Sequence, residues 1–265
     1  MMTTTSAPPP APDKQDPIRE RYFKRLNNIE SLSTWLFYGT AIVSLFPVAL
    51  DKQDHRPLFE AAQIAFIVLV VALFFVGLAG RLWAMSPAHD ARRKDLVSNA
   101  YSVPLTHERT EGYYNNNQTD PVRRLGVSTM ESAYFTYSVL DSIAWKRRAT
   151  ALVYVLLFVS MVLYRGIPYE ALGVAAQVVF GEEVIARHAR FEWLLSRSKE
   201  VYERLYALFQ SSPNKANIHA RAVVWFARYE ASKDNAAVPI PEREFKRMKP
   251  SLDQGWEKIR GELGL

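Results

Sequence analysis

Few residues in this chain have types and spacing suited to catalysis. The five histidines are scattered, and none has the spacing of a metal site. A single pair, His89 next to Asp90, is interpreted as part of a solvated helix surface. The sequence has no cysteine, no phosphate-binding glycine loop of the Walker type, no nucleophile elbow and no HExxH motif. We therefore expect a protein that is not an enzyme and that holds no cofactor and no metal.

A polar and aromatic stretch, EGYYNNNQ at 111–118, is the first candidate site. Asparagine and tyrosine side chains offer many hydrogen bonds without net charge, and tyrosine rings also stack on planar groups. The stretch suits either a loop braced by its own side chains, which we favour, or a surface that binds a ligand such as a nucleotide. The candidate sensor residues are Glu111, Tyr113, Tyr114, Asn115, Asn116 and Asn117.

A second candidate site lies in the weakly hydrophobic stretch 167–186. If this stretch is helical, Glu170, Gly173, Gln177 and Gly181 lie close to one face. Polar groups within a bilayer usually face other protein or a water-filled path, and small residues at this spacing let helices approach closely. The face is interpreted either as helix packing or as the lining of a pore formed by several subunits.

Four transmembrane helices are predicted to position these residues. Residues 61–80 carry no charge, and at about 1.5 Å per residue they match the roughly 30 Å hydrocarbon core of a bilayer. This second span is taken to extend over 61–84, and the others are predicted at 32–50, 149–164 and 167–186. The fourth is the least hydrophobic, and a re-entrant or interfacial helix is its alternative.

The distribution of basic residues indicates the topology. Lysine and arginine cluster before the first span, after the second, before the third and after the fourth, while the two short connections hold fewer. The positive-inside rule then places both termini and the central segment in the cytoplasm of a bacterial inner membrane. The net charge of +6 lies mostly beside the spans, so no nucleic-acid partner is expected.

The expected fold is an all-α, polytopic membrane protein with two transmembrane hairpins and a helical cytoplasmic region. Its predicted segments are a disordered arm at 1–17, a first hairpin at 18–86, a cytoplasmic segment at 87–148 with a polar loop at 107–120, a second hairpin at 149–186, and a cytoplasmic region at 187–265.

Capping signals predict where the cytoplasmic helices begin and end. One helix is expected to start near Ser86 and Pro87, and another to start at Asp120 and run into the third span. A long helix after the fourth span is predicted to end at 211–213. Two shorter helices are expected around 215–231 and 251–263, the last with a capping box at its start.

The order of these segments resembles a known family. The stretches EGYYNNNQ, ESAYFTYSVLDSIAWKRR, RHARFEWLLSRSKEVYERLYALF and WEKIRGEL occupy its central segment, third-span approach, long helix and tail. Over about residues 20–265 the chain is similar to the four-transmembrane effectors encoded beside nucleotidyltransferases in bacterial cyclic-oligonucleotide antiphage systems. The resemblance implies an inner-membrane effector that responds to an infection signal and permeabilises the membrane.

The leading hypothesis is therefore an oligomerising membrane effector or channel whose cytoplasmic region senses a ligand. The expected ligand is a cyclic nucleotide. Its expected partners are the lipid bilayer and further copies of the same chain. A membrane-anchored scaffold or sensor that recruits a cytoplasmic partner is the first alternative, and a small transporter is the second.

Overall fold

Helix is the regular secondary structure throughout the part of the chain that the structure describes. A computed structural model describes residues 16–44, 46, 56–107, 110, 114, 116–164, 172–173, 176 and 182–265. The all-α prediction is confirmed for these residues, in which no strand occurs. The predicted disordered arm at 1–17 lies outside them except for its last two residues.

Two helices at the N-terminal end pack side by side. Helix α1 spans Lys24–Val43 and continues a π-helical turn at Arg19–Phe23. Helix α2 spans Arg56–Ala79 and contacts α1 along its length. The approach is close at Gly80, where a Cβ atom would lie only 3.1 Å from Cγ2 of Ile29.

A helix start is predicted near Ser86 and Pro87, but the chain is already helical before these residues. A π-helical turn, Gly80–Met85, joins α2 to helix α3, Ser86–Tyr101, so that 46 residues form one continuous helix. Proline lacks an N–H group and its ring collides with the carbonyl one turn earlier. The wider hydrogen-bond pattern of a π turn directly before Pro87 accommodates both defects. The proline therefore marks a change of helix type and not a helix start.

The continuous helix Arg56–Tyr101 is, among the described residues, the one helix long and apolar enough to cross a membrane. No residue of its most apolar stretch is buried against other parts of the protein. The predicted spans 32–50 and 149–164 fall partly or wholly on described helix, whereas most of 167–186 lies outside the described residues. The four-span topology stays a prediction.

Helix α4 spans Pro121–Leu163 and is 43 residues long. The predicted N-cap is confirmed, because the Asp120 carboxylate accepts a hydrogen bond from the backbone N–H of Arg123 at 2.9 Å. Pro121 follows in the first turn, where its missing N–H has no helical partner to lose. The helix runs without a break from the cytoplasmic segment into the predicted third span.

Three further helices pack against the first half of α4. Helix α5, Arg187–Ser211, follows a π-helical turn at Glu182–Ala186 and ends as predicted, with Ser212 in the left-handed conformation. Helix α6 spans Lys215–Ala236, and helix α7 spans Glu242–Leu263. Their shared core is apolar and fully enclosed, its largest members being Met130, Leu205, Phe209, Tyr229 and Trp256.

The last helix begins earlier than the capping box at Ser251 and Gln254 predicted. Both residues lie inside α7, which also contains Pro250. The preceding turns are held in place because Phe245 packs against Phe135 of α4, with ring centroids 6.3 Å apart. Tertiary packing thus outweighs the local signal that proline gives for a helix boundary.

The cap of α4 should make stability depend on pH. A hydrogen bond from Lys215, at 2.8 Å, and the bond from the Arg123 backbone lower the pKa of Asp120 from 3.8 to about 2. A carboxylate with a depressed pKa contributes stability above its unfolded pKa, and this contribution is lost as the pH falls through the folded value. Asp120→Asn keeps a capping side chain but loses the charge. We expect the parent to melt higher than Asp120→Asn at pH 7 in thermal unfolding followed by circular dichroism.

The difference in melting temperature between the parent and Asp120→Asn should disappear as the pH falls from 4 to 2. Asp120→Ala removes the cap as well, and we expect it to be about 1 kcal/mol less stable than Asp120→Asn at every pH. A gap between the parent and Asp120→Asn that stays constant down to pH 2 would show that the ion pair with Lys215 contributes nothing.

Candidate functional site

A cavity of about 300 Å³ lies between the start of α1 and the helices α3, α4, α6 and α7. Its walls come from seven parts of the chain: the segment before α1 with the first turn of α1, helix α3, the loop before α4, helix α4, helix α5, helix α6 with the connection that follows it, and helix α7. We call this space the ligand cavity. Because these parts are far apart in the sequence, the cavity exists only in the folded chain.

Aromatic side chains form much of the wall of the ligand cavity. They come from five different parts of the chain and are Phe23, Tyr114, Phe135, Tyr229 and Phe245. Tyr229 is held in one orientation, because its hydroxyl lies 2.8 Å from Oγ1 of Thr136 and donates to the Ser132 carbonyl at 3.0 Å. Planar rings around a concave space favour a ligand with a flat aromatic group.

Charged side chains line the rim of the ligand cavity. Among the described lining residues, the lysines and arginines are Arg19, Arg92, Lys233, Lys246 and Lys249, and the carboxylates are Asp16, Glu131, Glu242 and Asp253. Most are arranged as pairs, such as Arg92 with Asp16 at 2.7 Å. The cavity therefore combines apolar walls with a rim whose charges are almost balanced.

One part of the rim carries more positive than negative charge. Glu242 interacts with both Arg19 and Lys246, and it accepts a further hydrogen bond from Asn27 at 2.9 Å. The hydrogen bonds from Lys246 and then from Arg19 lower the pKa of this carboxyl. Two cations thus share one carboxylate, and an anionic ligand group placed here would meet a net positive charge.

A cluster of ion pairs supports the opposite end of the ligand cavity. His89 Nδ1 lies 2.9 Å from the Asp234 carboxylate, and Arg93 contacts both Asp234 and Glu230. The hydrogen bond from His89, followed by the charge of Arg93, lowers the pKa of Asp234. Since Glu230 is almost fully buried, these contacts fix α3 against α6 and hold His89 and Lys233 in the cavity wall.

The loop that the sequence singled out contributes both a wall residue and a brace. Tyr114 lines the ligand cavity and packs with Leu96, Ala100 and Leu125. Asn116 is buried: its amide donates to the Arg124 carbonyl at 2.8 Å and to Ser128 Oγ at 3.2 Å, and its oxygen accepts from the Gln118 N–H.

Asn116 therefore ties the loop to the first turns of α4, as the favoured structural interpretation expects. Asn117 is exposed. The other candidate sensor residues, Glu111, Tyr113 and Asn115, lie outside the described residues.

The candidate pore-facing residues are hardly represented in the described part of the chain. Gly173 is helical and exposed, and a Cβ atom on it would meet nothing within 4 Å. It does not line the ligand cavity. Glu170, Gln177 and Gly181 lie outside the described residues, so their relation to Gly173 stays a prediction.

Several residues of the ligand cavity carried no signal in the sequence. Phe135 lies in the interior of α4, and Phe245 lies in a part of α7 that the sequence analysis places before the helix. Arg19 and Lys246 belong to charged stretches that suggest ordinary solvated surfaces. The acidic first turn of α7, with Glu242 and Glu244 directly after Pro241, is a signal that would have placed Phe245 on a helix.

Comparisons of the chain with protein-family models, with curated proteins and with solved structures found no match. Within the described residues, no group of three or more histidine or carboxylate side chains is arranged to hold a metal ion.

Proposed function

We propose that the protein is a membrane effector that oligomerises and permeabilises the bacterial inner membrane when its cytoplasmic region binds an infection signal, a cyclic nucleotide being the ligand class. The proposal includes four transmembrane spans with both termini in the cytoplasm, and a role in antiphage defence. The cavity at the junction of the proposed membrane helices and the proposed cytoplasmic helices is the observation that carries it.

The walls of the ligand cavity include helices that lead directly toward the membrane. Phe23 precedes α1, and His89 and Leu96 lie on the continuation of the apolar helix Arg56–Tyr101. Phe135 lies on α4, about 20 Å before the predicted third span at a rise of 1.5 Å per residue. A ligand that draws these walls together would shift the helices relative to one another, because each helix runs without a break from the cavity wall into a predicted span.

The chemistry of the ligand cavity supports a nucleotide. Phe135 and Phe245 offer ring faces for a base, and Arg19 and Lys246 provide the positive end of the rim for a phosphate. The hydroxyl of Thr136 and the amide of Asn27 are additional hydrogen-bonding groups in the wall.

Exposed apolar surface supports more than one membrane-embedded helix. Trp35 on α1 is 73% exposed, Phe74 on α2 is 59% exposed and Leu157 on α4 is 58% exposed. Each lies in a predicted span, and contiguous apolar surface of this kind is stable in lipid or against another subunit. The proposed pore face of Glu170, Gly173, Gln177 and Gly181 would then be completed by neighbouring subunits.

Two variants of α7 test the ligand cavity. We expect Phe245→Ala to weaken the binding of a cyclic dinucleotide to the full-length protein by about tenfold or more, since a stacked base is worth about 1–3 kcal/mol. Lys246→Ala should weaken it as well, whereas Lys258→Ala, an exposed position on the same helix outside the cavity, should not. Isothermal titration with a panel of cyclic di- and trinucleotides measures these affinities.

The membrane part of the proposal has its own measurement. Cells that express the protein are loaded with a membrane-potential dye. We expect the nucleotide that binds the parent protein to depolarise these cells, and we expect a smaller dye response in cells that express Phe245→Ala or Gln177→Leu. Nucleotide binding without any dye response would favour the anchored sensor over the pore. No binding by any cyclic nucleotide in the panel would overturn the assigned ligand class.

A further inference from the structure

A second cavity of about 230 Å³ lies between α1 and α2 and extends to α4, α5 and the connection after α6. We call it the arginine cleft, because Arg81, Arg147, Arg187 and Arg190 all line one end. It is separate from the ligand cavity, although Leu26, Val238 and Pro239 belong to both walls. Whatever occupies the cleft thus also touches the wall of the ligand cavity.

The arginine cleft is apolar at one end and cationic at the other. Along α2 and the π turn that follows it, the lining begins at Phe66, passes Val70 and Gly77, and includes Arg81 and Met85. These residues lie on successive turns of one helix, so the cleft follows α2 for about 20 Å at 1.5 Å per residue. Its shape and polarity match a molecule with a long hydrocarbon chain and a charged head.

The cationic end of the cleft brings Arg147 close to both Arg187 and Glu30. Glu30 is the one carboxylate among the described lining residues, and it accepts a hydrogen bond from Arg187 at 2.8 Å. Arg147 has its guanidinium 5.6 Å from the ring centroid of Phe191, and no described carboxylate pairs with it. Desolvation and then the positive charge of Arg187 lower the pKa of Arg147. A bound anion would relieve this crowding of like charges.

A buried hydroxyl also faces the arginine cleft. Ser33 is 4% exposed, and its Oγ has no hydrogen-bond partner among the described residues. It lies on the face of α1 that carries Glu30 and Phe37, between the charged and the apolar ends of the cleft. A buried hydroxyl without a partner is destabilising, and an ester or phosphate oxygen at this level would accept its hydrogen bond.

We propose that the arginine cleft binds an anionic phospholipid from the cytoplasmic leaflet, with its phosphate among the arginines, its ester region at Ser33 and one acyl chain along α2. Basic pockets between membrane helices on the cytoplasmic side are suited to anionic headgroups. The proposal rests on the membrane placement of α1 and α2 in the proposed function, but it requires neither a nucleotide ligand nor a pore.

Native mass spectrometry of the full-length protein in detergent tests the headgroup. We expect dioleoylphosphatidylglycerol to be retained in preference to dioleoylphosphatidylcholine, and Arg147→Gln to reduce its affinity about tenfold, the loss expected for one hydrogen bond to a charged group. Arg148→Gln is the control with the same charge change, because Arg148 donates two hydrogen bonds of 2.8 Å to Glu192 and does not line the cleft.

A second pair of variants tests the acyl-chain end. A Cβ atom on Gly77 would meet nothing within 4 Å, so the first atom of the Gly77→Leu side chain displaces no neighbour, and the rest of the side chain extends from a residue that lines the cleft. The same space is open at Gly39, which lies outside the cleft, and Gly39→Leu is the matched control. We expect the affinity for phosphatidylglycerol to be at least tenfold lower in Gly77→Leu than in Gly39→Leu. Both variants should have the melting temperature of the parent.

Three results would overturn the proposal. The first is equal retention of the two lipids, and the second is equal affinity of Arg147→Gln and Arg148→Gln for phosphatidylglycerol. The third is full displacement of the lipid by inorganic phosphate together with no effect of Gly77→Leu, which would indicate a site for the free ion. Because none of these measurements uses a nucleotide, they are independent of the outcome for the ligand cavity.

Discussion

Gly126→Leu should lower the free energy of unfolding of the bundle formed by α4, α5, α6 and α7 by about 3 kcal/mol or more, the upper part of the range for overpacked cores. Gly126 lies on α4 where α5 and α6 converge on it. A Cβ atom added there would lie 2.9 Å from Cβ of Ala222 and 3.0 Å from Cζ of Phe209, two residues that are themselves almost fully buried. Neither neighbour has free space to move into, so the helices must separate.

Thermal unfolding of the detergent-solubilised full-length protein, followed by near-ultraviolet circular dichroism, measures this effect. Gly261→Leu is the matched control, since Gly261 is exposed on α7 and a Cβ atom there meets nothing within 4 Å. The control should melt at or slightly above the parent temperature, because leucine favours helix over glycine.

The pair Gly126→Ala and Ala222→Gly tests the cause of the Gly126 effect. The second change removes the nearest contact, so the double variant should recover part of the stability that Gly126→Ala loses. A Gly126→Leu variant that melts within about 2 °C of the parent would show that the three helices do not pack as tightly as the structure indicates.

Arg93→Ala should destabilise the junction between α3 and α6 by about 2 to 3 kcal/mol. Arg93 donates to the Glu230 carboxylate at 3.3 Å, and Glu230 is 3% exposed. Lys233 Nζ lies 2.7 Å from the other Glu230 oxygen, so the buried charge keeps one partner and the loss stays below that of a fully orphaned carboxylate. Asp234 loses its contact with Arg93 at the same time.

Lys94→Ala supplies a control for Arg93→Ala at the adjacent position. Lys94 pairs with Asp90 four residues earlier, and both side chains are about half exposed. Such a surface pair contributes at most about 0.5 kcal/mol. Equal melting temperatures for Arg93→Ala and Lys94→Ala would contradict a structural role for the cluster. Because His89 and Lys233 line the ligand cavity, Arg93→Ala should also weaken nucleotide binding, which the titration of the proposed function measures.

Local signals in the sequence predicted much of the helical framework. Asp120 caps α4, Ser212 ends α5 in the left-handed conformation, and the uncharged stretch 61–80 lies within the helix that is long enough to cross a membrane. These features depend on hydrogen bonds and apolar spacing between residues within one or two turns of each other, and so a single stretch of sequence contains all the information they need.

The same signals failed at two prolines. Helix starts were predicted near Pro87 and at the capping box that follows Pro250, yet the chain is already helical before both positions. A π turn before Pro87 and the packing of Phe245 on Phe135 compensate for the lost backbone hydrogen bonds. The amount of compensation depends on neighbours that are distant in sequence, and local rules do not contain it.

The sequence by itself thus determined that the chain is helical, that it contains a helix apolar enough for a membrane, and that the loop at 111–118 adjoins the start of α4. Only the tertiary structure decided that Asn116 braces this loop while Tyr114 faces a cavity, and that Arg147 and Arg187 converge with Arg81 on a cleft beside α2. Each of those sites is built from side chains on different helices. Their meeting depends on how the helices pack, which no periodicity within one helix encodes.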